Sequence, residues 1–174
     1  PSGRIVSFEA LLRWTSSVHG SVPPNRFIPL AEESDTIQII GKWVFKQACQ
    51  FARKLAELGQ GDIRVSVNVS PRQLVAGDFV TIVRDAISCA GIRPNQLEIE
   101  ITENAIITSL GDSTNKLAEL CAIGVHLSLD DFGTGYSSLT YLRNLPAGAL
   151  KIDKSFIDSI VSDAVQLQFI RSII

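Results

Sequence analysis

Glu9, Asn68, Glu100, Asp130 and Asp153 each lie in a short stretch where apolar and polar residues alternate, and Lys151 stands two residues before Asp153. Alternation places residues two apart on one face of a strand. If these polar faces converge, Glu9, Glu100, Asp130 and Asp153 crowd several negative charges into one space. Such charges cannot stay ionised together without cations. Carboxylate and amide oxygens, without cysteine and with little histidine, suit magnesium or manganese rather than zinc. The chemistry this set could support is two-metal hydrolysis of a phosphoester, in which one ion lowers the pKa of water and both stabilise charge at phosphorus. Lys151 could help neutralise the site and orient the attacking water.

The elements that must hold these groups read as βα units around a parallel sheet. Strands are predicted over Arg4 to Trp14, Ile63 to Val69, Leu97 to Thr102, Val125 to Leu129 and Ala149 to Ile152. In the first, Phe8, Ala10, Leu12 and Trp14 oppose Glu9, Leu11 and Arg13; Trp14 therefore reads as packing against helices. Helical patterns run from about Ile28, from Asp35 to Leu58, from Asp78 as N-cap to Gly91, from Leu110 to Ala122, near Ser138 to Leu142, and from Asp153 to Ile174. Periodicity alone leaves a doubly wound sheet and a barrel both open. An antiparallel sheet with one wet face would also alternate, but the intervening helices argue against it.

The 174 residues suffice for one domain, with 45% apolar and 20% charged residues and a net charge of -2. That charge offers no broad attraction for a DNA or RNA polymer, so a phosphate ligand must be caught locally. Cys49, Cys89 and Cys121 match no zinc spacing and read as buried free thiols. His126, on the polar face deeper than Asp130, reads as a satisfied core histidine rather than a ligand. His19, in a Ser/Gly/Pro-rich loop, reads as solvated. No run reaches the roughly 20 apolar residues of a membrane span. The expectation is a cytoplasmic domain, which a membrane segment outside these residues could anchor.

Five short motifs then occur in a fixed order: Glu9-Ala10-Leu11, extended through Trp14; Asn68-Val69-Ser70; Glu100-Ile101-Thr102-Glu103; Asp130-Asp131-Phe132-Gly133-Thr134-Gly135-Tyr136-Ser137-Ser138; and Lys151-Ile152-Asp153. Each is weak alone. Together they resemble the EAL domain family of cyclic di-GMP phosphodiesterases, and the order is highly specific. The resemblance implies a TIM-type (β/α) barrel with one antiparallel strand, and hydrolysis of cyclic di-GMP to linear pGpG with magnesium or manganese in a two-metal site. It assigns metal coordination to Glu9, Asn68, Glu100, Asp130, Asp131 and Asp153, with Glu9, Asp130 and Lys151 as the catalytic groups. Asp131 joins Asp130 only if the strand ends at Asp130 and the chain turns. Arg13 would contact substrate phosphate, for which a planar fork suits better than an ammonium; a structural ion pair is its plainer alternative. Glu103 would brace the Asp-Asp-Phe-Gly loop, against the plainer reading of a surface glutamate capping a turn.

The same resemblance implies that residues 1–174 form a single EAL domain lacking the first strand and the last strands of the barrel. The family's general-base glutamate and a later glutamine would lie beyond residue 174, so the fragment alone is expected to be inactive. A homodimer through the Asp130–Ser138 region and attached sensory or GGDEF domains are implied by analogy. The alternative function is a catalytically degenerate EAL domain that serves as a cyclic di-GMP receptor or a protein-interaction module.

Overall fold

The computed structural model describes residues 3–108, 112–133, 145–158 and 167–168. Its main sheet contains β1 (Ser7–Ala10), β4 (Arg64–Asn68), β5 (Leu97–Thr102), β6 (His126–Phe132) and β7 (Ala149–Ile152), in that spatial order and all parallel. Spatial order follows chain order without reversal. A doubly wound sheet reverses at a switch point, whereas a barrel adds each strand beside its predecessor. The fold is therefore α/β, a curled parallel half-barrel with helices outside. The antiparallel strand expected within the barrel has no counterpart among the described residues.

Helices cover one face because their apolar residues recur every three or four positions. After α1 (Pro24–Glu33), α2 (Thr36–Glu57) buries Ile37, Gly41, Phe45, Ala48, Cys49, Ala52 and Leu55. A short α3 (Pro71–Val75) precedes α4 (Phe79–Ala90), which buries Phe79, Val83 and Ile87. Gly91 ends α4 at φ 63°, a left-handed conformation that costs glycine no Cβ clash. Asp78 occupies the N-cap position, but its carboxylate makes no capping bond. Next come α5 (Glu103–Thr108) and α6 (Asp112–Ala122), and α7 (Lys154–Asp158) follows β7. The helical expectations at 110–111, at Ser138 to Leu142 and over most of 159–174 lie outside the described residues.

The core lies between these helices and the outer face of the sheet, where Phe45, Leu74, Phe79, Leu97, Ile99, Ile101, Leu117 and Leu129 are almost inaccessible. Each such side chain contributes roughly 1.5–3 kcal/mol through burial. On the inner face Ser66, Glu98, Glu100 and Ser128 are buried, while Glu9, Asn68 and His126 are exposed.

Three expectations need correction. The strand predicted from Arg4 to Trp14 ends at Ala10. Trp14 instead opens β2 (Trp14–Ser16), which pairs antiparallel with β3 (Gly20–Val22) as a separate hairpin. The hydroxyl of Ser16 causes the turn by accepting the N–H groups of Val18 and His19, each at 3.2 Å. Trp14 does pack on a helix, edge-on to Phe27 of α1 at 5.7 Å, although it stays half-exposed. His126 is exposed rather than a core histidine, because it begins β6 at the open lower rim of the sheet. Of the three thiols only Cys49 is buried, which pushes its pKa up to about 12, while Cys89 is exposed on α4. Among the described residues no helix is long and apolar enough to cross a membrane.

Candidate active site

Parallel registration sorts the inner face into levels. Glu9, Ser66, Glu98 and His126 are cross-strand partners at one level, and Asn68, Glu100 and Ser128 at the next. Asp130 pairs with Thr102 above them. The two upper levels lie at the C-terminal ends of the strands, where parallel α/β folds place their sites.

Glu9 and Asn68 meet directly, with the Asn68 amide donating to Glu9 Oε1 at 2.7 Å. Glu100 is 1% exposed, and its Oε1 accepts from Lys151 Nζ while Oε2 is buried without a partner. Burial works against the Lys151 ammonium. The Glu100 hydrogen bond and the charges of Glu100, Asp130 and Glu9 outweigh it and raise the lysine pKa. Lys151 is thus a fixed cation and donor at neutral pH, not a base.

Asp130 and Asp131 both stand in β6, which runs on to Phe132 rather than stopping at Leu129. The turn expected at Asp130 is instead a bulge inside the strand. Leu129 pairs with Leu150 and Phe132 with Ile152, so three steps on β6 oppose two on β7. Asp131 absorbs the extra residue at φ 53°, a left-handed conformation that aspartate tolerates better than most residues. Burial and the charges of Asp130 and Asp153 push its pKa up. Asp130 Oδ1 accepts the Asp131 N–H at 3.0 Å. Asp153 is held below the usual carboxylate range by Ser155, whose hydroxyl and N–H both donate to Oδ1, at 2.5 and 2.9 Å.

Among the described residues no three acidic, histidine or cysteine side chains close around one point. Like charges repel, and local donors at Asp131 and Ser155 favour this separation. The donor chemistry nonetheless fits a hard divalent ion, since every candidate ligand offers oxygen and one oxygen of Glu100 is buried without a partner.

Glu103 is buried at the start of α5 and accepts the Gly133 N–H on Oε2 at 3.2 Å. It therefore reaches the loop after β6, and is no surface glutamate. Arg13 is exposed, donates to its neighbour's carbonyl at Leu12 at 2.8 Å, and makes no ion pair among the described residues. It lines a cleft of about 450 Å³ together with Asn68, Ser70, Gln73, Glu100 and Thr102. Ser155 and Gln73 also hold the site's backbone, and each carries a local sequence signal. An Asp-x-Ser step opening a helix signals the first, and a Ser-x-x-Gln capping box the second.

The family model for the EAL domain matches residues 1–174. This chain belongs to the EAL domain family. It is 40% identical over its whole length to the bifunctional diguanylate cyclase/cyclic di-GMP phosphodiesterase MucR of Pseudomonas aeruginosa, and 41% identical over 99% of its length to the cyclic di-GMP phosphodiesterase NbdA of the same organism. It spans 25% and 22% of those proteins, about a quarter of their length. Among solved structures, the PaMucR phosphodiesterase in complex with c-di-GMP superposes with a TM-score of 0.91 at 39% identity, covering 98% of this chain and 69% of the other. The half-barrel described above is thus part of an EAL-type TIM barrel.

Proposed function

We propose that this EAL domain, within its parent protein, hydrolyses one phosphoester of cyclic di-GMP to give linear pGpG. The observation that carries the reading is Glu100: nearly inaccessible, tied to Lys151 through one oxygen, with the other unsatisfied among oxygen donors. Burying such a group is costly unless it serves a ligand. The cyclic di-GMP phosphodiesterase activities of MucR and NbdA, and the ligand in the PaMucR complex, support cyclic di-GMP as substrate.

Glu9, Asn68, Glu100, Asp130, Asp131 and Asp153 would hold two magnesium or manganese ions, which when bound lower the pKa of water and neutralise charge on the phosphoryl group. Lys151 keeps its proton and orients water or phosphate by donating to it. Arg13, which makes no ion pair among the described residues, offers its planar fork to a phosphate from the rim of the cleft. Asn68 holds Glu9 in place. A homodimer through the Asp130–Ser138 region belongs to the same reading; only its first four residues are described. Attached sensory or GGDEF domains would account for the greater length of the relatives.

The test is hydrolysis by the full-length protein with magnesium or manganese, followed by chromatography of pGpG. Glu9→Ala should lower turnover by roughly 10²-fold or more. Cyclic di-GMP that is bound but left intact overturns the reading and makes the domain a receptor.

A further inference from the structure

The turn after Asn68 is held by more side chains than one short helix requires. At its start Ser70 donates its N–H to Gln73 Oε1 at 3.1 Å, while the Ser70 hydroxyl is buried without a partner. Gln73 is itself buried, and its Nε2 lies against Gly41 in the middle of α2. A Cβ on Gly41 would stand 1.8 Å from that nitrogen. Gln38 of α2 donates to the Arg72 carbonyl at 2.7 Å. At the other end, the buried Lys116 of α6 donates to the carbonyls of Leu74, Val75 and Ala76 at 3.1, 3.2 and 3.1 Å. A five-residue helix has no stability of its own, so these bonds fix it from outside.

The fixed turn bears directly on the site. Val69 donates to the Glu100 carbonyl at 2.9 Å, and Asn68, one residue earlier, donates to Glu9. Gly41, Gln73, Ser70, Asn68 and Glu100 line one cleft. A plain serine cap would have started α3 without Gln73. Adding Gln73 to the cap demands a glycine inside a 22-residue helix, which weakens that helix relative to alanine.

We propose that the Gly41–Gln73 contact is a positioning device for Asn68, holding its amide beside Glu9, where both residues would serve a divalent ion. The device rests on the phosphodiesterase reading above. Gln73 and Gly41 act on Asn68 through Ser70 and the strand end.

Manganese binding to the full-length protein, read by electron paramagnetic resonance without substrate and beside hydrolysis assays, tests it. Gly41→Ala and Gln73→Ala should each weaken manganese affinity by roughly 10-fold or more. The double variant should bind no more weakly than Gln73→Ala alone, because the clash has gone. Gln73→Ala adds no atoms, so it carries the test if Gly41→Ala does not fold. Unchanged manganese affinity in folded Gln73→Ala, or losses that add in the double variant, would overturn the device alone. Wild-type protein that neither binds manganese nor cleaves cyclic di-GMP would overturn the phosphodiesterase reading, and the device with it.

Discussion

Glu98 and Glu100 stand two residues apart on the inner face of β5, and both are almost inaccessible, at 6% and 1%. Glu98 meets Arg64 Nε at 3.1 Å, close enough for an ion pair though not aligned as a hydrogen bond. Its level neighbours are Ser66 and His126. Glu100 lies level with Asn68 and Ser128 and shares the Lys151 ammonium with the fields of Asp130 and Glu9. One arginine serves Glu98, whereas one lysine serves Glu100, Asp130 and Glu9. Residue type and face are the same; the partners separate a structural acid from a site acid, since Glu9 shares the level of Glu98 yet bonds Asn68 and acts on Lys151.

The largest expected effect separates these two glutamates directly. Glu100→Gln should lower turnover of cyclic di-GMP by about 10²–10³-fold, because it removes a carboxylate that would hold the divalent cation neutralising charge on the phosphoryl group. Glu98→Gln should leave turnover close to wild type. Steady-state kinetics on both variants decide, and similar losses would erase the distinction between the two glutamates. A smaller effect, in stability, distinguishes the lower level. Arg64→Met leaves Glu98 buried without its cation and should cost about 1–3 kcal/mol in denaturant unfolding, with turnover retained by the folded protein. An activity loss matching that of Glu100→Gln would mean that Glu98 and Arg64 also belong to the site.

Much of this arrangement is legible in the sequence, for identifiable reasons. The bounds of β5 and β7 coincide with Leu97–Thr102 and Ala149–Ile152, where strict alternation is flanked by a Pro-Asn turn or by small residues and glycine. The glycine at the end of α4 marks a backbone conformation only glycine adopts cheaply. Elsewhere alternation misleads. It continues through Trp14, yet the Ser16 hydroxyl folds that segment into a hairpin, so Arg13 does not share one regular strand face with Glu9. The exposure of His126 depends on which residues close the lower rim of the sheet, a tertiary fact that local pattern does not carry. The Asp130–Asp131 bulge is likewise a matter of registration between β6 and β7. No residue type in Leu129-Asp130-Asp131-Phe132 announces it. The Gly41–Gln73 contact links residues 32 positions apart in sequence and has no periodic signature.

The smallest effect concerns that bulge and the upper level alone. Burial, Asp130 and Asp153 raise the Asp131 pKa in the folded protein. The unfolded chain then gives up this proton at a lower pH than the folded one. Stability therefore falls as pH rises from the ordinary aspartate value, about 3.9, through the folded value, and the penalty is complete above it. Asp131→Asn removes the charge and keeps a residue that tolerates φ 53°. It should raise the thermal midpoint slightly at pH 7 and flatten the acid limb of stability against pH. Manganese should reverse the order, since a cation rewards the wild-type carboxylate and gives the amide less. Thermal melts of the two full-length proteins, with and without manganese, measure both parts. A variant less stable than wild type without metal would show that Asp131 is held by contacts stronger than the repulsion of its neighbours, and the site would then be a folded network rather than a strained cluster of acids.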